Sequence, residues 1–123
     1  MKIFSQDQIN DVSFPDAPVS EFKLDGIKRM LTFTTDAFVG SAPTGRWFDE
    51  AIVTIFDFEE VKIIEENSKI VQRFLPEFAL RGICEFILTD GKLVMRGFSY
   101  GRGLWTEYCF VKPKIQIEYD EFS

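Results

Sequence analysis

At 123 residues with 46% hydrophobic side chains, the chain suits one domain with a buried core and is too apolar for wholesale disorder. The absence of histidine excludes Ser-His-Asp triads, Cys-His dyads and His-ligated zinc, and 14 Lys+Arg against 20 Asp+Glu argue against nucleic acid or anionic membrane as direct partners. Residues 1–20 are polar and hold Pro15 and Pro18, so they read as an irregular lead-in, laid across the domain by Ile9, Val12 and Phe14. Asp25-Gly26 is a tight-turn pair between Phe22–Leu24 and a strand from Ile27 to Thr35, on which Ile27, Arg29, Leu31 and Phe33 share one face. Residues 37–47, with Gly40, Pro43 and Gly45, read mostly as loop. Ala51 to Phe58 is apolar on both faces, the pattern of a central strand covered on both sides. Residues 60–65 suit a strand. Residues 68–75 suit a short helix that stops before Pro76; the competing hairpin would set Lys62 opposite Arg73, which like charges disfavour.

The C-terminal third, residues 79–119, reads as a four-stranded meander: Ala79–Leu88, Lys92–Ser99, Leu104–Val111 and Lys114–Tyr119. Asp90-Gly91 is a type I′ turn pair, and Tyr100–Gly103 is a four-residue turn. Those two loop lengths fix the register and align Glu85, Arg96 and Glu107 in one row across three strands. Phe86–Met95–Tyr108 and Leu88–Leu93–Phe110 form apolar rows on the opposite face, which Ile115, Ile117 and Tyr119 extend. Ile83–Phe98–Trp105 and Ile87–Val94–Cys109 flank the charged row on its own side. A sheet apolar on both faces predicts a single mainly-β domain over 1–123, with about seven or eight antiparallel strands, as a curled sheet or small barrel-like sandwich. The same register separates Cys84 from Cys109, so no disulfide is expected.

The Glu85–Arg96–Glu107 row is the most specific constellation. Two carboxylates about 10 Å apart come near the spacing of an inverting glycosidase. An arginine shared between them suits a cross-strand salt-bridge ladder better than a general acid. Gly97-Phe98-Ser99-Tyr100-Gly101-Arg102-Gly103 has glycines spaced like a phosphate loop, but a strand follows where such a loop needs a helix. Its Tyr100, Arg102 and neighbouring Trp105 are the residue types that anchor protein interfaces. Thr44-Gly45-Arg46-Trp47-Phe48 repeats that chemistry and makes Arg46 and Trp47 further interface candidates. Asp57 with Glu59, and the adjacent acidic pairs, read as solvated surface. No cofactor or metal site is expected, because no ligand set has suitable spacing.

The ending, a turn followed by Leu104-Trp105-Thr106-Glu107-Tyr108 and a strand from Ile115 to Tyr119, is similar to that of small bacterial β-domains. Some of those are immunity proteins that neutralise toxins; the likeness covers less than half the chain. It implies an immunity-type inhibitor of a basic toxin. The residues themselves predict a non-enzymatic, cytoplasmic protein-binding domain with a partner that is basic if charge complementarity guides it. A small apolar-ligand carrier is the alternative, and a carboxylate-dependent hydrolase using Glu85 and Glu107 a third reading.

Overall fold

The computed structural model describes residues 2–4, 12–14, 17–39, 46–65, 69–71, 74, 78–101 and 103–119. They form an all-antiparallel β-structure. In chain order the strands are β1 (Lys2–Phe4), β2 (Val12–Ser13), β3 (Ala17–Asp25), β4 (Met30–Val39), β5 (Arg46–Phe56) and β6 (Glu60–Glu65). Then follow β7 (Lys69–Val71), β8 (Gly82–Ile83), β9 (Glu85–Thr89), β10 (Lys92–Phe98), β11 (Trp105–Val111) and β12 (Lys114–Tyr119). Eight of these are five residues or longer, in line with the strand count expected from sequence.

The strands divide into two open sheets. The larger has the order β1-β12-β5-β4-β3-β8, with β2 also paired to β4; the smaller has the order β7-β6-β11-β10-β9. Alternation along each strand sends one set of side chains into a shared core. Leu31, Phe33, Val53, Ile55 and Ile117 come from the larger sheet, and Leu93, Met95, Tyr108 and Phe110 from the smaller. Aromatic rings join the layers: Phe22 lies 5.3 Å from Tyr108 between ring centroids, and Phe58 lies 5.1 Å from Phe110. The buried Tyr108 hydroxyl donates a hydrogen bond to the Phe78 carbonyl at 2.6 Å. Burial pushes that phenol's pKa well above its ordinary value.

Two of the crossings between the sheets lie side by side. Asp57–Glu59 leads from β5 to β6, and Lys112-Pro113 leads from β11 to β12. The Glu59 N–H donates to the Val111 carbonyl at 2.9 Å, and Lys112 pairs with Glu59 at 3.5 Å. Asp57 and Lys112 both have positive φ, 52° and 49°, which aims each strand away from the ladder it has just left.

These crossings correct the expected four-stranded meander. Only β9, β10 and β11 form one; β12 leaves for the larger sheet, pairs with β5 and β1, and faces the meander across the core. The Ala79–Leu88 strand is also divided. Leu80 bridges Ser99 while Glu85 pairs with Arg96, so five residue steps on one side match three on the other. The excess bends the chain at Cys84 and frees Gly82–Ile83 to pair with Ala17–Pro18 of β3. Gly97 is required there: a Cβ on it would run into the Gly82 carbonyl.

Other expectations change for local reasons. Lys69–Val71 is strand where the short helix over 68–75 was expected; of the remainder only Phe74 is described, and it is not helical. The β6–β7 connection has three residues, which shifts the hairpin by one position and sets Glu65 opposite Lys69, a favourable pairing. The lead-in supplies β1, β2 and the start of β3, and Phe14 is buried. Ile9 lies outside the described residues. At Asp25 the carboxylate accepts the N–H groups of Ile27 and Lys28, each at 3.0 Å, and opens the turn to four residues. Ile27 therefore sits at the turn's tip, 97% exposed, rather than on the face of Leu31 and Phe33. Residues 37–39 and 46–47, expected as loop, extend β4 and β5. β5 is central but covered on one side only, with Ile52 exposed.

Candidate functional site

The type I′ turn at Asp90-Gly91, with φ of 52° and 74°, and the turn after Phe98 hold β9, β10 and β11 in the register expected from sequence. That register presents an outward face on the smaller sheet, opposite its core face. One row across it is Glu85–Arg96–Glu107, continued by Ile64 of β6 and Ile70 of β7. A second row is Ile87–Val94–Cys109–Lys62. Phe98 and Trp105 stand opposite each other at the end nearest the second turn.

The face sets apolar side chains among charged ones and is open to solvent. Ile70, Ile87 and Phe98 are exposed, and Ile64, Val94, Trp105 and Cys109 are half-buried. The Phe98 and Trp105 rings meet edge to face with centroids 5.2 Å apart, a favourable aromatic pairing. Three carboxylates (Glu60, Glu85, Glu107) and three cations (Lys62, Lys92, Arg96) share this face, so its formal charges cancel within a chain of net charge −6.

Arg96 locks the charged row. Its Nη1 donates to Glu85 Oε2 at 2.5 Å and its Nε donates to Glu107 Oε1 at 2.6 Å. The hydrogen bond to Glu85, then that to Glu107, raises the guanidinium pKa above its ordinary value. The side chains are 36% exposed for Arg96, 40% for Glu85 and 22% for Glu107, so water screens the ladder and its contribution to stability is small. One guanidinium engages both carboxylates, an arrangement that suits a fixed polar stripe rather than a pair of catalytic acids.

The other sequence candidates fall in different places. Tyr100 is 73% exposed at the tip of the second turn, beside an open cleft of about 290 Å³ lined by Val19, Phe22, Leu80 and Tyr100. Arg102 lies outside the described residues. Arg46 and Trp47 start β5, opposite Val39 and Phe38, and so belong to the larger sheet rather than to the face bearing Trp105. No disulfide joins Cys84 to Cys109. Asp57 and Glu59 pair with Lys114 and Lys112 at the surface. Among the described residues no group of three or more Cys, Asp or Glu is placed to hold a metal ion.

Ile64 and Ile70 are the face residues that sequence reasoning missed. They reach it only because β6 pairs with β11 across more than forty positions of chain, which no turn length encodes. Charge gave the one usable sign: Glu65 and Lys69 flank a three-residue connection. Comparison with protein families, curated proteins and solved structures finds no match to this chain.

Proposed function

We propose that this chain is a non-enzymatic protein-binding domain that engages its partner through the outward face of the five-stranded sheet. One observation carries the reading: Phe98, Trp105, Ile87, Val94 and Ile64 lie together on a solvent-facing sheet surface, around an ordered Glu–Arg–Glu stripe. A sheet exposed to water alternates apolar-in with polar-out, so a large apolar outward face marks an interaction site. Aromatic side chains with a charged stripe are the usual make-up of an interface centre.

The partner fitted best is a basic protein. The face itself is charge-balanced, so apolar contact supplies affinity there, while the net charge of −6 speeds encounter with a cation-rich surface. An immunity-type inhibitor of a basic bacterial toxin, held in the cytoplasm, is the concrete form of this proposal. The test is capture of proteins from the native cytosol on the immobilised chain, beside Phe98→Glu matched for melting temperature. The proposal expects a basic protein retained by the wild type, lost from the variant, and bound more slowly as salt rises. Identical captured sets would count against it.

A further inference from the structure

Among the described residues five strands end the two sheets, and four of them are guarded; β2, paired to β4 alone, has only two residues. β1 has three residues and begins with Lys2, β8 has two residues, and β7 has three and begins with Lys69. Short strands and edge lysines are how sheet proteins prevent pairing with another chain. β9 has neither protection. It runs five residues, Glu85-Phe86-Ile87-Leu88-Thr89, with no Lys, Arg or Pro, and among the described residues no strand pairs with its outer side. Its one charge, Glu85, is neutralised sideways by Arg96.

We infer that β9 pairs with β9 of a second copy, antiparallel about Ile87, joining two five-stranded sheets into one of ten strands. The backbone parity fits. In a two-residue hairpin the flanking pair, here Thr89 and Lys92, exchanges hydrogen bonds. Alternation then turns Ile87 and Glu85 toward β10 as well, and leaves the N–H and C=O groups of Phe86 and Leu88 directed at the free edge. Antiparallel pairing about Ile87 sets Phe86 opposite Leu88 of the second copy, and Leu88 opposite its Phe86. Those four residues exchange four hydrogen bonds with no bulge. Ile87 faces its own symmetry mate at the close spacing of a non-hydrogen-bonded pair. Glu85 falls opposite Thr89, so no like charges meet. The row Ile87–Val94–Cys109 continues across the axis, and the charge-balanced outward faces become one surface.

This inference is independent of the partner proposed above, and its test needs no partner. Sedimentation and light scattering of the whole chain should give a concentration-dependent mass rising to twice 14.3 kDa. Ile87→Lys, which sets two ammonium groups face to face, should weaken association by about tenfold or more with unchanged circular dichroism. In a Cys84→Ser, Cys109→Ser background, Ile87→Cys should form an intermolecular disulfide on mild oxidation, since a non-hydrogen-bonded antiparallel pair spans about 4.5 Å between Cα atoms. A single-chain mass at every concentration up to about 1 mM overturns the inference. So does a dimer that Ile87→Lys leaves intact and that forms no disulfide through Ile87→Cys.

Discussion

Each sheet turns one face to the core and one to solvent, and the two solvent faces are built from different residues. On the larger sheet the outward rows are Asp25–Met30–Phe56–Lys114, Lys23–Thr32–Thr54–Gln116 and Ser20–Thr34–Ile52–Glu118, so Met30, Ile52 and Phe56 are its apolar members. Threonine there satisfies strand propensity while its hydroxyl stays hydrated, and Gln116 donates to Glu118 at 2.6 Å along the strand. On the smaller sheet the corresponding positions hold Ile64, Ile70, Ile87, Val94, Phe98 and Trp105. Both sheets fold by the same inward burial, so the outward difference is not needed for folding. The proposed partner-binding role accounts for it.

The largest effects should fall on the inward faces and be alike in both sheets. Phe33→Ala and Phe110→Ala each empty a fully buried site and should each cost about 3–5 kcal/mol in chemical denaturation. If one cost under about 1 kcal/mol, the two layers would not share one core. Alkaline titration comes next. Tyr108 is neutral in the fold and its folded pKa lies above the unfolded value near 10, so its stabilising contribution is whole below about pH 10. Above that pH the unfolded chain loses the proton first, and stability should fall by about 1.4 kcal/mol per pH unit, a slope that Tyr108→Phe removes.

Outward substitutions on the smaller sheet should cost less. Trp105→Ala removes a half-buried ring and its edge-to-face contact with Phe98, and should lower stability by about 1–2 kcal/mol. A loss like that of Phe110→Ala would make Trp105 a core residue and weaken the contrast between the faces. Smallest of all, Glu85→Gln or Glu107→Gln should change stability by under about 1 kcal/mol, since each disrupts a screened ladder on a half-exposed stripe.

How much of the fold and of the candidate face is legible in the amino-acid sequence depends on where the information sits. The β9–β10–β11 register, the charged row and the Ile87–Val94–Cys109 row are set by two short turns, and loop length alone decides which residues meet; the expected Ile83–Phe98 pairing fails, because Ile83 lies on β8 opposite Ala17. What escapes is whatever depends on distant chain. β12 looks like one more meander strand because its alternation is right; the turn at Lys112-Pro113 sends it to the other sheet, where it pairs beside β5. The offset around Gly82 carries no periodic signal, since the excess residues interrupt the alternation that sequence reading relies on. The β6–β7 hairpin is hidden by one position of register, enough to exchange a like-charged pair for Glu65 opposite Lys69.

The difference between the outward faces can be put to one matched measurement. Val94→Glu and Thr34→Glu each place one new carboxylate at an outward, half-buried strand position, the first on the smaller sheet and the second on the larger. With melting temperatures checked to be equal, the retention of the captured partner is compared across wild type, Val94→Glu and Thr34→Glu. The account predicts that Val94→Glu loses the partner and Thr34→Glu binds as the wild type does. Retention by Val94→Glu with loss by Thr34→Glu would move the binding surface to the larger sheet and contradict the account.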